Sequence, residues 1–186
     1  MGYVGQTITD VFPTSISVDT ATIATANISN QLTDANMSAG SVLQVVQGTY
    51  TSNDSFSGST FQNIGLQVNI TPTATSSKIL INAQLQMGYP TQNAGATLTF
   101  LRGSTNLAST ARPGFAHIGD STSGDQRTYQ MLMISMQFLD SPSSTSQITY
   151  SVGISMDTGT GYFNRNRNND SGSKGTSIIT VMEIAG

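Results

Sequence analysis

The stretch that decides the fold closes the chain: "TSIITVMEIAG", Thr176–Gly186, reads as a strand with apolar side chains on both faces. Side chains alternate along a strand. One face carries Ile178, Thr180, Met182 and Ile184, and the other carries Ile179, Val181 and Glu183. A strand that is apolar on both faces is covered on both sides. We therefore expect it to lie in the middle of a sheet.

Seven further segments upstream carry strand signals, separated by turns rich in Gly, Ser, Thr and Asn. They lie at about 41–50, 63–70, 78–89, 95–104, 128–140, 147–156 and 159–166. No segment has convincing helical periodicity. Roughly eight short strands with turns between them indicate an antiparallel sandwich, jelly roll or barrel. A Gly- and Ser-bearing loop is expected at about 103–127.

The composition agrees with this all-β reading and excludes several classes of protein. Only 9% of the 186 residues are charged, whereas about 25% is typical, and the chain has 18 Gly. The net charge is −3 and the seven basic residues are scattered, which argues against nucleic-acid binding. No apolar run approaches the roughly 20 residues of a membrane span. With no Cys, there is no thiolate metal site.

The first 40 residues differ from the rest of the chain. Small polar residues separate isolated apolar ones, and the spacing fits neither a helix nor a long strand. We expect residues 1–40 to form an extended docking arm and residues 41–186 to form the folded domain; a loose leader is the alternative. The expected docking anchors are Val11, Phe12, Ile16, Ile23 and Ile28.

No catalytic, cofactor or metal site is predicted. His117 is the only His, and we interpret it as a structural loop residue. The "DTG" at Asp157–Gly159 matches the short signature of aspartic proteases, but it is also a good tight turn, which we favour. The segment 164–172 offers oxygen donors but one carboxylate, too little charge for a Ca²⁺ cage. We expect a solvated loop there; a weak ion site or glycan contact is the alternative.

The strand predicted at 128–140 is also apolar on both faces. In a sandwich, the opposite sheet covers one face, and a neighbouring subunit is the simplest cover for the other. A loop of the same chain is the alternative. Glu183, the only Glu of the chain, needs a partner if it is buried. We expect that partner in a neighbouring subunit, or else a solvated position at the sheet edge. The expected subunit interface comprises Met131, Met133, Val181 and Glu183.

The C-terminal part of the chain resembles a widespread group of bacteriophage virion proteins, common in marine and cyanobacterial phages. The resemblance covers residues 32–186 and rests on "LTDANMSAGSVLQVVQ", "SKILINAQLQMGY", "FLRGSTNLA", "QFLDSPSSTSQITYSV", "TGYFNRN" and "TSIITVMEIAG". It implies a jelly roll of the tumour-necrosis-factor-like type that assembles as a homotrimer, with the closing strand facing the three-fold axis. It implies no catalytic residues.

From the resemblance and the short arm, we expect a non-enzymatic capsid decoration or cement protein. The arm would bind the major capsid protein at the surface of a virion assembled in the host cytoplasm. The alternative is a short fibre or adhesin that reads host surface glycans through loops 103–127 and 157–175. Its candidate glycan contacts are Tyr89, Tyr162 and Arg165.

Overall fold

The computed structural model describes residues 37–108, 114–120, 127–169 and 171–186. Within these ranges the chain forms strands β1 (Val42–Tyr50), β2 (Asp54–Phe56), β3 (Gln62–Ile70), β4 (Lys78–Gly88), β5 (Ala94–Arg102), β6 (Thr105–Asn106), β7 (Ala116–Asp120), β8 (Met131–Asp140), β9 (Ile148–Met156), β10 (Gly161–Phe163) and β11 (Ser177–Ile184). In this described part, no helix is long and apolar enough to cross a membrane.

The strands form two antiparallel sheets that pack as a jelly-roll sandwich, which confirms the predicted fold class. In the first sheet, β11 lies between β1 and β4, and β8 pairs with the other edge of β4. The short strands β10 and β2 continue this sheet beside the end of β4. In the second sheet, β9 lies between β3 and β5, and β6 and β7 both pair with β5.

The core lies between the two sheets and is built by the period-2 pattern of the sequence. Five alternate side chains of β4 point inward and are fully buried: Ile79, Ile81, Ala83, Leu85 and Met87. They pack against inward side chains of the second sheet such as Leu66, Phe100 and Ile154. Burial of such branched and aromatic side chains stabilises the sandwich by about 1.5–3 kcal/mol each.

The prediction that the closing strand is central in its sheet is confirmed. β11 pairs along its whole length with β1 on one edge, from Ser177↔Tyr50 to Ile184↔Val42. Its other edge pairs with β4. Its inward face is covered by the second sheet, and its outward face is the subject of the next subsection.

The prediction of a loop across 103–127 is wrong in part. β6 and β7 fall within that range, and β7 completes the second sheet by pairing with β5, from Ala94↔Asp120 to Leu98↔Ala116. The segment Ala116–Asp120 contains one large apolar residue, Ile118, so its alternation was too weak to indicate a strand. Backbone pairing with β5, and not side-chain pattern, forms this strand.

The sandwich has two distinguishable ends. At the proximal end β4 begins at Lys78, and nearby the Gly40 amide donates to the Ala185 carbonyl at 2.7 Å. At the distal end β4 finishes at Gly88, paired with Tyr162 of β10. The ten residue steps of β4 separate the two ends by about 33 Å.

Candidate interface on the outer face of the first sheet

An apolar row crosses the outward face of the first sheet over four strands. Val45 of β1 is paired with Met182 of β11, Met182 with Leu80 of β4, and Leu80 with Leu139 of β8. Directly opposite residues of antiparallel strands project to the same face. The four side chains therefore form one continuous row. We call it the apolar row.

Much of this row is open to solvent in the single chain. Val45 is 56% exposed and Leu139 is 47% exposed, while Met182 and Leu80 between them are half-buried. Met133, on the same face of β8, is 65% exposed. A contiguous patch of large apolar side chains on one sheet face is typical of a protein contact surface.

A polar row lies next to the apolar row. Gln47, Thr180, Asn82 and Gln137 are directly opposite one another across the same four strands. The Gln47 side-chain amide donates to the Thr180 hydroxyl at 3.2 Å. The outer face thus alternates apolar and amide-rich rows, a pattern that suits a contact with both packing and hydrogen bonds.

β8 is an edge strand within the described part of the chain, since β4 is its one paired neighbour there. It is ten residues long and carries no Lys or Pro, the residues that commonly protect an edge from pairing with other chains. Its outward Met133 and Leu139 are both exposed. This edge and the adjacent apolar row together form a candidate contact surface.

The expectation that Glu183 finds its partner in a neighbouring subunit, or is solvated at the sheet edge, is wrong. Its side chain is fully buried inside its own chain. One carboxylate oxygen accepts from the Thr73 amide, the Thr73 hydroxyl and the Ser77 hydroxyl, each at 2.7 Å. The other accepts from the Gln44 side chain at 2.5 Å. All these donors are neutral and come from the same chain.

These hydrogen bonds determine the ionisation of the Glu183 carboxyl group. Burial acts to raise its pKa, because it penalises the charged form. The hydrogen bonds donated by Gln44, Ser77 and Thr73 outweigh burial and lower the pKa below its usual value. Glu183 is thus a buried carboxylate that ties β11 to β1 and to the turn between β3 and β4.

The other predicted interface residues divide between the two faces. Val181 is fully buried in the core, because it lies on the same inward face as Glu183. Met133 is exposed on the outward face, as an interface residue must be. Met131 lies on that face too, but the loop after β10 approaches it: a Cβ placed on Gly175 would lie 3.2 Å from the Met131 methyl. A loop of the same chain, the alternative weighed above, therefore partly covers this strand.

The segment 164–172 is not simply solvated, which corrects that prediction for two residues. Asn164 and Asn166 are both fully buried. The Asn164 amide donates to the carbonyls of Tyr50 and Ser52 at 2.7 and 3.1 Å, and its oxygen accepts from the Ser177 hydroxyl at 2.6 Å. Asn164 therefore serves as a structural link between β10, β1 and β11, and its oxygen is occupied.

The predicted chemical candidates are placed as follows. His117 pairs with Thr97 across β7 and β5, and its Nδ1 lies 3.1 Å from the Thr97 hydroxyl. Asp157 follows β9 and is exposed, as a turn residue would be. Over the described ranges, no three His, Cys, Asp or Glu side chains come together in a way that could hold a metal ion.

The three candidate glycan contacts, Tyr89, Tyr162 and Arg165, lie at the distal end. Each of the two tyrosines is stacked against an arginine. The Arg165 guanidinium lies over the Tyr162 ring, 4.7 Å from its centroid. The Arg127 guanidinium lies over the Tyr89 ring at 4.6 Å. The expected capsid-docking residues Val11, Phe12, Ile16, Ile23 and Ile28 lie outside the described residues and stay predictions.

Sequence reasoning missed the apolar row. Its members come from four strands that are distant along the chain, and only the register of the sheet aligns them. The alternation of the closing stretch did separate Met182 from Val181, and that signal could have assigned the outward face. The alternation alone did not show which of the two faces of the closing strand points outward.

Comparison with known proteins gives fold likeness only. No protein-family profile matches the chain, and no curated protein is similar to it in sequence. Among solved structures, the chain is similar to the infectious bursal disease virus capsid in the T13 viral particle, with 11% identity and a TM-score of 0.44 over 88% of this chain. It is also similar to VP2 of that virus in a subviral particle, with 11% identity and a TM-score of 0.41 over 77%. The chain spans 40% and 38% of those two chains, and these values carry no argument about function.

Proposed function

We propose that this protein is a non-enzymatic structural component of a bacteriophage virion, a homotrimer that decorates or cements the capsid. The observation that carries the proposal is the apolar row of Val45, Met182, Leu80 and Leu139. A contiguous exposed row of large apolar side chains is typical of a surface that contacts another chain. We propose that two further copies of the same chain cover this face.

Two further lines support this assignment. The sequence resemblance to phage virion proteins spans residues 32–186 and implies a trimer with the closing strand at its axis. The jelly-roll sandwich has β11 in the middle of the sheet whose outward face bears the apolar row. A cyclic trimer would bury that face three times around one axis and would cover the edge of β8.

The docking role belongs to residues 1–40. They carry Asp10, Asp19 and Asp34 and no Lys or Arg, so the arm has a charge of −3 and suits a basic groove on a partner. Three such arms on one trimer give avidity, because the second and third bind at a high effective concentration. The proposed anchors are Val11, Phe12, Ile16, Ile23 and Ile28, on the major capsid protein.

Deletion of residues 2–30 tests the docking role. We expect the truncated protein to keep its melting temperature and oligomeric state but to lose co-sedimentation with capsids stripped of the native protein. A matched control replaces Ile8, which is outside the proposed anchors, with Ala and should retain binding. Capsid binding that survives the deletion would show that the arm is not the docking element.

A short fibre or adhesin is the second candidate function. The observation that favours it is the clustering of Tyr89, Tyr162 and Arg165 with Arg127 at the distal end. The two candidates are separable, because a decoration protein is present in hundreds of copies fixed by the capsid lattice, whereas a fibre is present in few.

A further inference from the structure

The distal end brings together two loops that are far apart in sequence. One is the turn before β8, where the Gln130 amide donates to the Arg127 carbonyl at 3.1 Å. The other follows β10, where Arg165 forms an isolated bridge with Lys174. The Asn168 amide donates to the Thr128 carbonyl at 3.1 Å and joins them. Four of the seven basic residues of the chain lie on these loops: Arg127, Arg165, Arg167 and Lys174.

Two of these arginines are held in place by tyrosine rings. Arg165 lies over Tyr162 and Arg127 lies over Tyr89, at 4.7 and 4.6 Å from the ring centroids. The Arg165 guanidinium also donates to the Asn166 carbonyl at 3.3 Å. Among the described residues, neither arginine forms an ion pair. Stacking on an aromatic face leaves the edges of a guanidinium able to donate to an anion.

The aromatic surface at this end is also open to solvent. Tyr129, in the same turn as Arg127, is 66% exposed. Tyr162 is half-buried on the outward face, in the row with Gly88 and Met131. A tyrosine ring offers an apolar face for the C–H groups of a sugar and a hydroxyl for its oxygens.

Among the described residues, the carboxylates form no ion pair with these loops. Asp140 of β8 and Glu183 of β11 lie at the proximal end, where both pair with Ile79 of β4. Asp54 accepts from the Tyr50 hydroxyl at 2.5 Å. Asp157 lies over Gly95 on the side of the second sheet, where a Cβ on that glycine would be 2.5 Å from its carboxylate.

We propose that this distal cluster, formed by Arg127, Tyr129, Tyr162 and Arg165, binds an anionic polysaccharide. The arginines would each donate to a carboxylate or sulfate group, and the tyrosines would pack on the sugar rings between them. Nucleic acid fits less well, because binding to a phosphate backbone draws on many cationic contacts, whereas this cluster supplies two arginines. This inference does not depend on whether the chain decorates a capsid.

Cyclic symmetry would strengthen such a site. In a cyclic trimer all three subunits present the same end in the same direction. Three distal clusters would then face one polymer chain, whose repeating anions can occupy them together. The proximal end, where the described chain starts at Met37, would face the other way.

The test measures binding of the full-length protein to three immobilised polymers: alginate, a carboxylated polysaccharide; dextran sulfate; and neutral dextran. Single-stranded DNA is a fourth ligand. We expect binding to one or both anionic polysaccharides and not to neutral dextran, with an affinity that falls as salt rises. Alginate and dextran sulfate distinguish carboxylate from sulfate recognition.

The variants Arg165→Ala and Arg127→Ala lie on different loops, so a local structural defect in one loop does not explain a loss of binding in both. Each should weaken binding about tenfold or more, since a charge-assisted hydrogen bond is lost. Lys78→Ala at the proximal end removes the same charge and should leave binding unchanged. Absence of binding to both polyanions, equal loss in the Lys78 control, or tighter binding to DNA would each overturn the proposal.

Discussion

At the scale of single residues, Glu183 shows how the fold accommodates a charge in its interior. The carboxylate has no cationic partner among the described residues and is satisfied by four donors from Gln44, Thr73 and Ser77. Such donors stabilise the charged form, which is why the pKa is lowered despite burial. The residue therefore links stability to pH.

The pH dependence has a defined sign. A carboxyl group whose pKa is lower in the folded state stabilises the protein above its unfolded pKa, about 4.3, and loses that contribution as pH falls through the folded pKa. Glu183→Gln should lower the free energy of unfolding at neutral pH by about 1–3 kcal/mol, because the amide presents a donor where acceptors are needed.

The measurement is chemical unfolding of both proteins from pH 7 to pH 2. The difference between them should be largest at neutral pH and should shrink below about pH 4. Asp157→Asn, which removes an exposed carboxylate, is the matched control and should change stability little at any pH. A constant difference across the whole range would contradict the role assigned to the Glu183 charge.

At the scale of elements, the outward face of the first sheet exposes the apolar row to solvent in the single chain. Met182 lies at the centre of the apolar row, between Val45 and Leu80. If the chain forms the proposed trimer, Met182→Glu should convert it to monomers at micromolar concentration, because three carboxylates would be brought together in an apolar contact. Size-exclusion chromatography with light scattering measures the change.

The control for Met182→Glu introduces the same charge on the outward face of the second sheet. Gln67→Glu is suitable, since Gln67 is exposed on β3. It should leave the oligomer intact. Dissociation by both variants, or by neither, would show that the apolar row is not the subunit contact.

Gly88 allows the loop after β10 to cross the distal end of the first sheet. A Cβ at this position would lie 2.5 Å from the Arg165 carbonyl oxygen and 3.0 Å from the Asn166 Cα. Both neighbours are backbone, so Gly88→Ala should displace the loop and lower the melting temperature by several degrees. Gly172→Ala is the control, because its Cβ would meet nothing within 4 Å. Equal melting temperatures for the two variants would contradict this close approach.

Much of this architecture follows from sequence pattern, for reasons visible in particular residues. Ile79, Ile81 and Leu85 alternate strictly, so the pattern located β4 and its buried face. Ala116–Asp120 has little apolar alternation, so β7 was missed. Glu183 was placed at a subunit contact because its donors, Gln44 and Thr73, are more than a hundred residues away and no local pattern connects them.

At the scale of the whole molecule, we assign a separate role to each of three parts of the chain. The arm of residues 1–40 is proposed to bind the capsid, the outward face of the first sheet to form the trimer, and the distal cluster to meet an anionic polysaccharide. Binding by the arm would depend on avidity from repeated weak contacts, and trimer formation on burial of apolar surface. Binding by the distal cluster would depend on charge-assisted hydrogen bonds.

The central claim is that the protein is a capsid decoration trimer, and its copy number per virion tests this most directly. Quantitative mass spectrometry gives the ratio of this chain to the major capsid protein in purified particles. We predict a ratio fixed by the icosahedral lattice, on the order of hundreds of copies per virion. A few copies to a few tens would contradict the decoration role and would identify a fibre or tail component.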